Sequence, residues 1–153
     1  MPSEFIKRQK NDFFRDITSF GSLWFYAILI VFFLITGDYS SLLVLLSGFI
    51  LIYFATIIIR SLYFKNRPQK YPYNNLIEKL DASSFPSMHA MRTGFLASFF
   101  IAYFKNSLVS ILLAVLALVI LYSRMYLKKH DWNDVLAGVV LGVFISYLVD
   151  YLL

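Results

Sequence analysis

Long apolar runs broken by short polar stretches organise this chain. Residues 4–18 set Phe5, Ile6, Phe13, Phe14 and Ile17 among charged positions, which predicts a short helix lying in a membrane interface. Uninterrupted apolar segments then run from Phe20 to Thr36 and from Leu42 to Ile59, the first ended by Gly37-Asp38 and the second by Arg60. Residues 65–86 are polar and turn-rich, with Pro68, Pro72 and Pro86. A third segment opens near Ser87 and reaches Phe104, and Lys105-Asn106 makes a tight connection to a fourth, Ser107 to about Tyr122. A fifth covers about Asp134 to Val149. Several runs are shorter than the roughly 20 residues that cross a bilayer, and their flanks supply the missing turns at headgroup level. The pattern predicts an all-α polytopic membrane bundle of about five spans in a single domain, residues 1–153, with a re-entrant third or fourth segment as the alternative. Gly138 and Gly142, spaced as small-xxx-small, predict close helix contact.

Composition agrees with this pattern. The chain is 59% hydrophobic with 16 phenylalanines and only 15% charged residues, well outside the usual range of soluble domains. The absence of cysteine excludes disulfides, iron–sulfur clusters and thiolate metal sites. The first apolar run lacks a following small-residue cleavage site, so a retained span is expected there rather than a signal peptide.

Counting the spans turns pattern into chemistry. If the N-terminal side is called A, the second span returns to A and delivers Arg60 to Arg67 there. The third starts on A with Pro86 to Arg92, and the fourth comes back to A with Ser123-Arg124, where the fifth begins. Three polar clusters therefore converge on one face. In the first, Arg60 and Arg67 are seven residues apart and share a face if the helix continues. In the second, Pro86 opens a helix whose Ser87 hydroxyl and leading N–H groups suit an anion. In the third, His130 and Asp134 are four apart, so a carboxylate is positioned to fix the imidazole tautomer if that stretch is helical. Arginine forks, two histidines and an aspartate are the groups that phosphoryl transfer needs: charge neutralisation, a nucleophile and a proton donor. Taken singly, each arginine reads more readily as a snorkelling interface residue, and His130 equally well as an interface histidine.

These clusters resemble the three motifs of the type 2 phosphatidic acid phosphatase (PAP2) superfamily: Lys-x6-Arg-Pro, Pro-Ser-Gly-His and Ser-Arg-x5-His-x3-Asp. Here they read Arg60-x6-Arg67-Pro68, Pro86-Ser87-Met88-His89 and Ser123-Arg124-x5-His130-x3-Asp134, so the motifs occupy 60–68, 86–89 and 123–134. The resemblance implies that His130 is the nucleophile forming a phosphohistidine and that Asp134 orients it. It implies that His89 protonates the leaving group and then activates water. Arg60, Arg67 and Arg124 would clamp phosphoryl oxygens, with Ser87 and the Met88 N–H completing the cradle, and neither metal nor other cofactor is implied. Two departures stand out. Arg60 replaces the usual lysine, and Met88 replaces the motif glycine, which matters if that residue requires a positive φ. Arg92, outside the motifs, is a candidate headgroup contact.

Substrates that the resemblance brings in are phosphatidic acid, phosphatidylglycerol phosphate, undecaprenyl diphosphate and the 1-phosphate of lipid A, the last because the chain is compact. No nucleic acid or obligate protein partner is expected. Two other readings compete. One is a metal hydrolase using His89, His130 and Asp131 or Asp134, which the three arginines disfavour. The other is a phosphate-lipid binding or transport protein without catalysis. Side A carries thirteen of the fourteen lysines and arginines, which points to the cytoplasmic side of the inner membrane, whereas bacterial members of the family mostly act on the outer side.

Overall fold

The computed structural model describes residues 2–69 and 72–153. Its helices are α1 (Pro2–Ile17), α2 (Leu23–Thr36), α3 (Tyr39–Leu62), α4 (Leu76–Ala82), α5 (Met88–Phe104), α6 (Ser107–Tyr126) and α7 (Trp132–Leu152), with a 3-10 turn at Thr18–Gly21 between α1 and α2. The boundaries carry local signals. Ser22, Asp38, Asn75, Ser87 and Asn106 each cap a following helix with a side-chain oxygen. Gly37 closes α2 in the left-handed region, where a residue without Cβ is favoured.

α3, α6 and α7 are each long and apolar enough to cross a membrane. The α1–turn segment and α2, bent by 45°, form a fourth candidate as one broken span. α5 has 17 residues, about 26 Å at the helical rise, and falls short of the roughly 30 Å hydrocarbon core. By length and composition three helices reach a full span, or four with the bent pair, beside the about five that the pattern predicts. The third run, α5, is the buried centre of the bundle. Its residues from Ala90 to Leu96 are all buried, and it packs on α3, α6 and α7.

Lipid offers no hydrophobic drive for one helix to join another, so close packing has to supply it. α5 and α7 form the most extensive pair because glycines remove the obstacle. A Cβ on Gly142 would stand 2.0 Å from the Met91 carbonyl oxygen, and one on Gly138 would stand 2.6 Å from that of Ser87. Gly94 answers from α5, where a Cβ would meet the Val139 carbonyl oxygen at 2.7 Å. The predicted small-xxx-small spacing is thus a helix contact. Beside it, Tyr26, Phe33, Leu45, Ile52, Phe95 and Phe99 fill the space among α2, α3 and α5, and the Tyr26 hydroxyl donates to the Leu45 carbonyl at 2.9 Å. The N-terminal segment is helical, and Phe14 anchors it to α6 with ring centroids 4.3 Å from Tyr126 and 5.5 Å from Tyr122.

Candidate active site

The three clusters do meet. A cavity of 320 Å³ at one end of the bundle is lined by Arg60, Arg67, Met88, His89, Arg92, Arg124 and His130, together with Leu23, Tyr53 and Asp81. Among these lining residues four are guanidinium-bearing and one carries a carboxylate. Ser87 and Asp134 are fully buried, outside the lining.

The first cluster arrives by a different route from the one its spacing predicts. α3 stops at Leu62, and Tyr63 adopts extended angles (φ −137°, ψ 106°), so Arg60 and Arg67 do not share a helical face. Instead residues 65–66 lie antiparallel to 83–84. Ser84 N–H donates to the Lys65 carbonyl at 2.8 Å, Lys65 N–H to the Ser83 hydroxyl at 3.3 Å, and the Ser84 hydroxyl to the Asn66 carbonyl at 3.2 Å. This seam carries Arg67 to the cavity, where its guanidinium donates to the Asp81 carbonyl and lies 4.0 Å from the Asp81 carboxylate.

Arg60 also behaves differently from a free phosphate clamp. One terminal nitrogen donates to the Leu80 carbonyl at 2.8 Å and the other to that of Pro86 at 3.0 Å, while its Nε is buried without a hydrogen-bond partner. A planar fork reaches the two carbonyls from two separate nitrogens, where a lysine would have to serve both from one. Arg124 is held by its Nη1 donating to the Thr18 hydroxyl at 3.1 Å, and its Nε is likewise buried without a partner.

Met88 is the first helical residue of α5, and Lys105 and Lys128 are the only non-glycine residues of positive φ among those described. No glycine is therefore required at the second motif's third position. The Ser87 side chain caps α5 by accepting from Ala90 N–H, and its own N–H donates to the Asp134 carbonyl at 3.0 Å. The amides of Met88 and His89 head the helix without a carbonyl of their own helix to meet, which suits an anion.

Both imidazoles have assignable tautomers. A carbonyl can only accept, so His130 Nδ1, 2.9 Å from the Ser84 carbonyl, bears the hydrogen and leaves Nε2 with a lone pair. A guanidinium can only donate, so His89 Nδ1, 3.4 Å from Arg92, accepts and leaves the hydrogen on Nε2. Asp134 Oδ2 lies 3.7 Å from His130 Nδ1, close but beyond hydrogen-bond distance, so the expected direct pairing is taken over by the Ser84 carbonyl. The reason is competition for the carboxylate. His130 precedes α7, and Asp134 Oδ2 accepts from the N-cap amide of Asp131 at 3.1 Å, while Oδ1 holds the ammonium of Lys65 at 2.7 Å. Burial holds the His130 imidazolium pKa below its ordinary value, with Asp134 opposing and Arg124 and Arg67 reinforcing the shift.

Lys65 is the residue that spacing alone does not single out. Its ammonium bridges Asp134 and Asp131, the latter at 3.3 Å. Burial works against that charge, but the hydrogen bonds and fields of Asp134 and Asp131 outweigh it and raise the pKa. The signal was present: on an extended strand Lys65 and Arg67 point the same way. Arg92, offered as a headgroup contact, is 4% exposed and tied to the Gly21 carbonyl at 3.0 Å and the Tyr53 hydroxyl at 3.2 Å as well as to His89. It also lines the cavity.

Residues 41–152 match the PAP2 superfamily. The chain belongs to that superfamily. The lipid A 4'-phosphatase of Bacteroides thetaiotaomicron is 35% identical over 68 residues, and the alignment covers 44% of this chain but only 30% of that relative. Among solved structures, the PAP2 type phosphatidylglycerolphosphate phosphatase from Bacillus subtilis superposes with a TM-score of 0.75 at 26% identity, covering 94% of this chain and 76% of that one. LpxE of Aquifex aeolicus shares the fold, with a TM-score of 0.77 at 20% identity over 94% of this chain and 86% of that one. The PAP2 chain is an all-helical integral membrane protein.

Proposed function

We propose that this single-domain protein of the cytoplasmic membrane hydrolyses a lipid-linked phosphate monoester or diphosphate without a metal, by way of a phosphohistidine on His130. One observation carries the reading: four guanidinium-bearing residues line one cavity with both histidines and only one lining carboxylate. Grouping cations in a low-dielectric site is costly, and a phosphoryl dianion is the partner that offsets the cost.

The first step follows from the His130 tautomer: its Nε2 attacks phosphorus as the bond from phosphorus to the leaving oxygen breaks. The anionic substrate brings a second proton to His89, on Nδ1 in place of the Arg92 contact, and the resulting imidazolium passes its Nε2 proton to the leaving oxygen and is left neutral. Water then attacks the phosphohistidine, His89 takes the water's proton, and inorganic phosphate leaves with the His130 lone pair restored. Arg67 and Arg124 neutralise the equatorial oxygens, helped by the Met88 and His89 amides. Arg60 shapes the Leu80–Pro86 stretch from which the cradle starts, and Ser87 sets the first turn of α5. Asp134 acts on His130 through charge, with the Ser84 carbonyl setting the tautomer and Lys65 fixing the carboxylate.

The test is trapping of labelled phosphoprotein from a radiolabelled lipid monophosphate, with phosphate release followed in parallel. Wild type should give both. His130→Ala should give neither, and His89→Asn should slow both according to leaving-group basicity. Normal release by His130→Ala eliminates the mechanism. Lipid binding with no release from any of the four candidate lipids turns the reading to a binding protein.

A further inference from the structure

Two of the four arginines that line the cavity are held by a single turn outside the three motifs. Arg124 Nη1 donates to the Thr18 hydroxyl at 3.1 Å, and Arg92 Nε donates to the Gly21 carbonyl at 3.0 Å. Both acceptors belong to the Thr18–Gly21 turn, 106 and 71 residues earlier in the chain. That turn also lies outside residues 41–152, the part that matches the superfamily.

The turn is itself fixed in place. It packs on α1, α2, α5 and α6. Ser22 N–H donates to the Ser19 carbonyl at 2.9 Å and the Ser22 side chain caps α2, which ties the turn to the start of that helix. On its other side, Phe14 seats α1 against Tyr122 and Tyr126, the residues two before and two after Arg124 on α6. A Cβ on Gly21 would stand 2.8 Å from the Thr93 hydroxyl and 3.3 Å from the His89 carbonyl oxygen. The turn therefore lies against the helix that carries His89.

The kind of acceptor matters as much as its position. A carboxylate would hold a buried arginine and cancel its charge in doing so. Among the described residues, neither Arg92 nor Arg124 takes part in an ion pair. A hydroxyl and a main-chain carbonyl hold them by dipoles alone, so the formal charges stay available to an anion. Arg124 is 8% exposed, and its Nε is a buried donor still without a partner. Three other guanidinium-bearing residues line the same cavity. Their repulsion, and the rotamer freedom of a long side chain, would both draw an untethered Arg124 away.

Resting on the phosphatase reading above, we propose that Thr18 is a positioning residue of the active site: its hydroxyl aims Arg124 at the phosphoryl group and leaves that arginine's charge intact. The Gly21 carbonyl does the same for Arg92 beside His89. The Thr18–Gly21 turn is then a fourth element of the site, alongside the three motifs.

Vanadate, which mimics the phosphorus centre during transfer, probes this, with phosphate release from the four candidate lipids followed in parallel. Thr18→Val keeps the size and removes the acceptor. It should weaken vanadate binding about three- to tenfold at an unchanged melting temperature, and Thr18→Ser should restore the binding. In an Arg124→Met background, Thr18→Val should alter vanadate binding by less than about twofold, because no guanidinium is left to aim. A purely structural Thr18 would instead give the same loss in both backgrounds. Thr18→Asp separates aim from charge: it still offers Arg124 an acceptor, but should weaken vanadate at least as much as Thr18→Val. If Thr18→Val does not fold, this variant decides, and vanadate binding as tight in Thr18→Asp as in Thr18→Ser overturns the proposal. Wild-type binding by Thr18→Val, or equal losses in the two backgrounds, also overturns it and leaves the phosphatase reading standing. A wild type that neither binds vanadate nor releases phosphate from any of the four lipids overturns that reading, and the role of Thr18 with it.

Discussion

The ammonium of Lys65 lies 2.7 Å from Oδ1 of Asp134, while the imidazole of His130 lies 3.7 Å from Oδ2 of the same carboxylate. Lys65 and His130 thus draw on one negative charge, and the lysine is the nearer claimant. Removing it should release the full field of Asp134 onto His130. Because burial depresses the His130 pKa and Asp134 raises it, Lys65→Met should move the acid limb of the kcat/KM profile to higher pH. Wild type should keep its nucleophile neutral, and its activity, below the ordinary imidazole range. Lys65→Arg should return the limb toward wild type, and identical limbs in wild type and Lys65→Met would show that Lys65 is structural only.

Arg60 and Arg124 should separate scaffold from clamp. Arg60→Lys loses one of two main-chain bonds, to Leu80 or Pro86, and should cost about 1–3 kcal/mol of stability in detergent. Its vanadate binding should stay within a few-fold of wild type. Arg124→Met should unfold near the wild-type temperature but weaken vanadate binding on the order of tenfold to a hundredfold, as loss of a charged hydrogen bond predicts. Tryptophan fluorescence melts and vanadate inhibition constants measure the two effects.

Met88→Gly restores the residue usual in the motif. Since Met88 is already helical with no positive φ, the change should leave phosphate release within a few-fold and cost no more than about 1 kcal/mol. A gain of tenfold or more in kcat would show that the methionine side chain, not the backbone, limits the site.

Gly142→Ala should be far more damaging than its size suggests. The new Cβ would press on the Met91 carbonyl, a main-chain atom that cannot swing aside, so α5 and α7 must separate. A loss of about 1–3 kcal/mol and a matching fall in Tm are expected. Activity should fall with it, because the same two helices carry Ser87 and Asp134.

The apolar runs located the helices and the cap residues their starts, because both are properties of side chains. Even α4, inside a stretch that reads only as polar and turn-rich, has Asn75 capping it and Glu78 returning to Asn75, a pairing legible in retrospect. The convergence of the arginines and histidines was legible for the same reason. What the spacing misplaced depends on main-chain atoms. Nothing in the side chains of Ser61 to Tyr63 announces the end of α3, so Arg60 and Arg67 read as one face. The carbonyls of Ser84, Leu80 and Pro86, which hold His130 and Arg60, have no residue signature at all.

The N–H of Ser87 meets the carbonyl of Asp134 at 3.0 Å, just above the glycine contacts that join α5 to α7. The gauge between the two histidines is therefore set in the peptide backbone, where substitution cannot easily reach. Side chains facing lipid are free to drift while that gauge holds. A scaffold with this division can change its substrate without relearning its reaction.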